Sequence, residues 1–180
     1  MKSNIYLIGF MGTGKSTVLN KLAFMTKYNG VDLDDYIEKK EKKSINDIFA
    51  EGGEELFRKL ETEYLKNVSE KKEYIVSCGG GTVLRSENVD IMKDNGTVVL
   101  LRATPKTIYE RVKDTTNRPL LNGNMNEEYI AGMLKKREEF YLNAADIIID
   151  TDDMQVSDIC REILEKIKKN SWKKYYGIIE

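Results

Sequence analysis

The octapeptide Gly9-Phe10-Met11-Gly12-Thr13-Gly14-Lys15-Ser16 fits the pattern G-x-x-x-x-G-K-[ST] and falls directly between an apolar run, Ile5-Tyr6-Leu7-Ile8, and a segment of helical spacing, Val18, Leu19, Leu22, Ala23 and Met25. That order, strand then loop then helix, commits the start of the chain to a parallel α/β arrangement. The chemistry of such a loop follows from its residues. Glycines let the backbone curl into a nest of N–H donors around a β-phosphate, and the helix N-terminus adds its positive end. Lys15 can then reach the β- and γ-phosphates while Ser16 ligates Mg²⁺. Gly12, Thr13, Gly14, Lys15, Ser16 and Thr17 are therefore the candidate nucleotide-binding residues. The plainer alternative is a glycine-rich turn carrying a surface lysine.

Downstream the same alternation continues. Val31-Asp32-Leu33-Asp34 reads as a strand end, with a helix opening at Tyr36 and Ile37. Ser44 with Asp47 forms a helix N-capping pattern, Gly52-Gly53 breaks that helix, and a second helical pattern runs from Leu56 to Val68. Tyr74-Ile75-Val76, Thr97 to Leu101 and Ile147 to Ile149 are apolar strands; Thr104-Pro105 starts one helix, Ile130 to Tyr141 marks another, and Val156 to Ile167 a third. Continuous apolar strands alternating with helices predict a parallel sheet covered on both faces. Residues 114–126, polar and containing Arg118-Pro119 and Gly123, predict a long exposed loop.

Composition narrows the function classes. At 180 residues one domain is expected, and 29 Lys and Arg against 30 Asp and Glu supply no global field for nucleic acid or an anionic membrane. No apolar run approaches the roughly 18 residues of a membrane span, and the N-terminus enters a strand with no cleavage site, so a cytoplasmic protein is expected. Two distant cysteines, Cys78 and Cys160, and no histidine remove disulfide frameworks and nearly all zinc chemistry. Any general base must be a carboxylate, Lys, Tyr or Cys.

Three further groups of residues bear on a site. Asp32 and Asp34, two apart on the expected strand end, would point the same way from the carboxyl edge of the sheet. They could divide the work between a Mg²⁺ water and a hydroxyl, or simply decorate a helix N-terminus with acid. Gly79-Gly80-Gly81 marks either a tight turn or a close approach of backbone to a ligand. Arg58, after Phe57, and Arg137 are binding candidates or ordinary surface arginines.

Taken in order and spacing, these residues resemble the shikimate kinase family over roughly residues 4 to 168. The resemblance is carried by the nucleotide loop, the Asp32-Leu33-Asp34 pair, Ile48-Phe49 with Gly53-Glu54, Phe57-Arg58 with Glu61, the triple glycine, Arg118-Pro119-Leu120-Leu121, and Arg137 with Tyr141. It implies a three-layer P-loop kinase fold with a five-stranded parallel sheet, a substrate-binding segment near 33–61, a mobile lid near 114–126, and a single kinase domain over 1–170 followed by a tail, 171–180. It also implies ATP and Mg²⁺, and phosphoryl transfer to the 3-hydroxyl of shikimate on the route to chorismate and the aromatic amino acids, by a protein acting as a monomer. Within it Lys15, Asp34 and Arg118 would be catalytic, and Ser16 and Asp32 would hold the metal. Phe57, Arg58, Gly79, Gly80, Gly81 and Arg137 would join Asp34 around the substrate. Arg111 would flank the adenine, with Thr151 close to it, and Arg118 would neutralise the transferring phosphate.

Two departures stand out. Gly30 replaces a large apolar residue before the acid pair, which would loosen the packing behind it, and Ser171 to Tyr176 extends past the family core as a frayed helix, a packing strap, or a partner or membrane-surface contact. The competing readings are another small-metabolite kinase on the same fold, such as a gluconate kinase, and an ATP-binding regulator without catalysis.

Overall fold

Alternation of side chains along β1 (Asn4–Ile8) sets the three layers. Tyr6 and Ile8 enter one core while Ile5 and Leu7 enter the other, so the apolar run is buried on both faces. The computed structural model describes residues 4–113 and 126–176, with side chains through residue 170. β2 (Asn29–Asp32), β3 (Tyr74–Ser77), β4 (Gly96–Arg102) and β5 (Ile147–Asp150) complete a parallel sheet of order β2-β3-β1-β4-β5.

α1 (Lys15–Thr26) and α7 (Val156–Tyr176) cover one face, burying Val18, Leu19, Leu22, Ile159 and Ile163. The opposite core takes side chains from α2 (Leu33–Glu41), α3 (Ile45–Ser69), α4 (Ser86–Asn95), α5 (Pro105–Val112) and α6 (Glu127–Ala144). β1 is central, with neighbours reached by connections running to either side, so a crevice forms beyond the carboxyl ends of β1 and β3.

Local chemistry explains where the helices start. Ser44 and Asp47 cap α3 reciprocally, Thr104 caps α5 ahead of Pro105, and Asn126 caps α6 by accepting from the Tyr129 N–H. Gly53, with φ 66° and ψ −167°, kinks α3 where the sequence predicts a break.

Two expectations need correction, and one helix runs past the end of its apolar pattern. The helix after β2 starts at Leu33 rather than near Tyr36, because Asp32 turns its carboxylate back to accept the Asp34 N–H at 3.2 Å and so caps it. Gly30 leaves no loose packing: Leu19 Cδ1 and Ala23 Cβ each lie 3.4 Å from where a Gly30 Cβ would sit, so α1 already fills that space. α7 continues past Ile167, where its apolar pattern ends, to Tyr176, so most of the tail is helical backbone.

Candidate active site

The phosphate loop takes its shape from left-handed backbone that favours glycine. At Gly12 φ is 77°, and a Cβ there would sit 2.7 Å from Val112 Cγ1 on α5. Thr13 turns its hydroxyl inward to the Phe10 carbonyl at 2.8 Å and is buried, so only its backbone can face a ligand. Lys15 Nζ donates to the carbonyls of Gly9 at 2.8 Å and Phe10 at 3.0 Å, folding the charge over the loop. Ser16 and Thr17 are exposed in the first turn of α1.

Arg111, on α5, spans from this loop to the end of β5. Its Nη2 donates to the Thr151 carbonyl at 2.8 Å and its Nη1 to the Thr151 hydroxyl at 3.1 Å. Thr151 is wholly buried, and its hydroxyl donates to the Arg102 carbonyl at 3.1 Å. Thr151 thus holds Arg111 and the strand ends in place.

The two aspartates do converge, though by a different route from the one expected. Asp32 stands at the strand end as the α2 N-cap, and Asp34 lies in the first helical turn. Asp32 Oδ2 accepts from Ser16 Oγ and from Ser77 Oγ, both at 2.9 Å. Ser16, Asp32 and Ser77 therefore share one carboxylate oxygen at the mouth of the phosphate loop.

Asp34 Oδ1 is buried with no hydrogen-bond partner, and a Cβ on Gly79 would come within 3.0 Å of both it and Glu61 Oε1. Burial, reinforced by the charges of Asp32 and Glu61, pushes the Asp34 carboxyl up to about 6, against the pull of Lys15 and Arg58. Burial drives the Cys78 thiol well above its ordinary value, and also raises Cys160 and Tyr141. Among these groups Asp34 is the one suited to accept a proton near neutrality.

Arg58 lies on α3 against the Phe57 ring, which is itself buried beside Phe49. Its Nη1 donates to the wholly buried Glu61 at 2.7 Å, and Glu61 also accepts from Thr82 Oγ1 at 2.5 Å. Arg137, on α6, approaches the same place from the opposite side: its Nη1 donates to the Gly80 carbonyl at 3.5 Å.

Space explains two of the three glycines. A Cβ on Gly81 would collide with the Arg58 guanidinium at 2.3 Å, and one on Gly79 would crowd two carboxylates. A Cβ on Gly80 would meet only ordinary contacts, Tyr141 Oη at 3.7 Å and Arg137 Nη1 at 3.8 Å among them. The protein's own packing therefore leaves Gly80 open.

Residues 114–125, with Arg118, lie outside the described residues. Among the described residues no three carboxylate or cysteine groups cluster as a metal cage, and no helix is long and apolar enough to cross a membrane. Ser77, Thr82 and Tyr141 complete the site without having been assigned a role from sequence. Glu61 and Tyr141 had a readable signal, Glu61 three residues after Arg58 on one helix and Tyr141 four after Arg137 on another.

The model of the family described as "Shikimate kinase" matches residues 11–168. The chain belongs to the shikimate kinase family. A shikimate kinase of Thermodesulfovibrio yellowstonii is 41% identical over 93% of this chain and 96% of its own, and one of Persephonella marina is 45% identical over 92% and 99%. Among solved structures, the shikimate kinase of Acinetobacter baumannii in complex with shikimate superposes with TM-score 0.88 at 34% identity, covering 93% of this chain and 94% of that one. A gluconokinase of Sinorhizobium meliloti, at 16% identity and TM-score 0.58, shares the fold alone. The expected P-loop kinase fold with a five-stranded parallel sheet is thus the fold of shikimate kinases.

Proposed function

We propose that the chain transfers the γ-phosphoryl group of ATP to the 3-hydroxyl of shikimate, giving shikimate 3-phosphate and ADP on the route to chorismate. One observation carries this reading beyond family membership: two guanidiniums from separate elements converge on adjacent glycines beside a buried acid, next to a phosphate loop. Planar forks suit a carboxylate, and a partnerless buried carboxylate oxygen suits a hydroxyl that can donate to it. Arg58 and Arg137 then bind the acceptor's carboxylate, Asp34 its hydroxyls, and the N–H of Gly80 a further hydroxyl.

Asp34 takes the proton of the attacking hydroxyl as its oxygen bonds to the γ-phosphorus and the bond to the bridging oxygen of ADP breaks. Lys15 and the loop N–H groups meet the charge carried by the phosphates. Arg118 is assigned to the transferring group by its place in the sequence pattern. Ser16 Oγ and Asp32 Oδ2, two hard oxygens 2.9 Å apart, fit Mg²⁺, which takes few protein ligands and keeps several waters. Bound there, Mg²⁺ would supply positive charge against the phosphates.

Coupled ADP-release assays test the acceptor. Shikimate is expected to be used at least about tenfold more efficiently than gluconate or quinate, a discrimination of ~1.4 kcal/mol. Equal use of gluconate, or no turnover with shikimate, would overturn the assignment. Gly80→Ala gives a second check: with room for its methyl group it should melt near the parent, yet raise the shikimate KM about tenfold by occupying the acceptor's approach. An unchanged KM would move the acceptor away from Gly80.

A further inference from the structure

Three consecutive carbonyls run along the triple glycine, and each is held by a donor. The Gly79 carbonyl accepts from the Thr82 N–H at 3.2 Å and the Gly81 carbonyl from the Leu84 N–H at 3.0 Å, both inside the short 3₁₀ turn Thr82–Leu84 and its lead-in. The middle one is different. The Gly80 carbonyl accepts from side chains of α6, the Tyr141 hydroxyl at 2.6 Å and Arg137 Nη1 at 3.5 Å.

A trans peptide is planar, so fixing one carbonyl fixes the direction of the next residue's N–H. Glycine lacks the Cβ that would otherwise restrict rotation about such a peptide, so a Gly-Gly peptide without a fixed partner samples several orientations at little cost. Arg137 is a poor anchor, because its bond lies at the outer limit of hydrogen-bonding distance and its guanidinium is the group proposed to turn to a carboxylate. Tyr141 is a good one. It is 4% exposed and part of the core that includes Phe10, Val83 and Ile130, so its ring cannot swing away. Its desolvated hydroxyl keeps its proton and remains a donor.

We infer that Tyr141 is a positioning residue for the acceptor site, its hydroxyl locking the Gly80–Gly81 peptide so that the Gly81 N–H keeps one direction and the Gly80 N–H before it, proposed to meet the acceptor, sits on a fixed backbone. The two side chains, one helical turn apart on α6, divide the work: Arg137 serves the ligand and Tyr141 serves the backbone beneath it. The functional half of this assignment rests on the proposed binding of shikimate at the glycines; the locking itself does not.

Tyr141→Phe tests it, since the ring still fills its place in the core and only the donor is lost. In the variant without acceptor, the Gly80 and Gly81 amide resonances should shift and broaden as the peptide samples new orientations, while amides of β1 and α1 stay put. In steady-state assays the shikimate KM should rise about fivefold or more, with the ATP KM nearly unchanged and kcat altered far less than the shikimate KM. Unchanged Gly80 and Gly81 amides would overturn the inference. So would a loss falling equally on ATP and shikimate, which would mark a general structural role. Should the parent protein fail to phosphorylate shikimate, the proposed function falls, and the glycine amides still decide whether Tyr141 locks the peptide.

Discussion

Asp34→Asn is expected to lower kcat by about 10²–10⁴-fold and, in the same protein, to raise stability at neutral pH. Both effects come from one cause. Asp34 Oδ1 is buried without a partner beside Asp32 and Glu61, so ionising it in the folded state is costly and its carboxyl titrates at about 6 instead of 3.8. A raised carboxyl favours the folded state fully below the unfolded value; that contribution is lost as pH rises through the window from about 4 to about 6. Above that window the ionised acid costs the fold about 3 kcal/mol, from a shift of about two units. Asparagine removes the charge at nearly constant shape. Denaturant unfolding in chelator, without nucleotide, should therefore show a gain near pH 7.5 that shrinks toward pH 4. The kinetic loss follows because the amide cannot take the hydroxyl's proton. A near-parental kcat would reduce Asp34 to positioning, since phosphoryl transfer depends on geometry and charge more than on proton removal. A stability gain independent of pH would show that the buried charge is not its source.

What could be read from the sequence divides by how far apart the cooperating residues lie. The loop Gly9 to Ser16, the capping box at Ser44 and the Thr104-Pro105 start are local devices, and each sits where its own few residues place it. The acid pair was legible as a pair but not as geometry. Strand alternation and helix capping both bring Asp32 and Asp34 to one edge, and only the backbone turning at Asp32 distinguishes them. Longer links left no trace in spacing. Glu61 joins Arg58 on its own helix to Thr82, twenty-one positions on, and Tyr141 reaches Gly80 across sixty-one positions. Ser77 is one more polar residue at a strand end until Asp32 is seen to accept from it. Gly30 shows the converse: a glycine where a large apolar side chain is expected looks like a defect in one dimension, and two side chains of α1 fill the space in three.

Lys15→Met should reduce kcat on the order of 10³-fold, and it should also move the acid limb of whatever activity remains to higher pH. The first effect is the loss of the point charge that faces the compact phosphate oxygens. The second comes from the neighbourhood. Lys15 is one of two cations that hold the Asp34 carboxyl down against burial and its acidic neighbours, so removing it leaves Arg58 alone to do so. Asp34 should then titrate above about 6, and a larger share of the protein would carry it protonated, unable to act as base, at any pH near neutrality. The loop also loses a tie. The Lys15 ammonium donates to the Gly9 and Phe10 carbonyls, and methionine fills the volume but satisfies neither oxygen. Nucleotide affinity should consequently fall less than kcat, because the backbone N–H groups and the α1 N-terminus remain. A pH-rate profile of the variant separates the two roles. A lower plateau with an unmoved acid limb would confine Lys15 to the phosphates, whereas a shifted limb would place its charge in the titration of Asp34 as well.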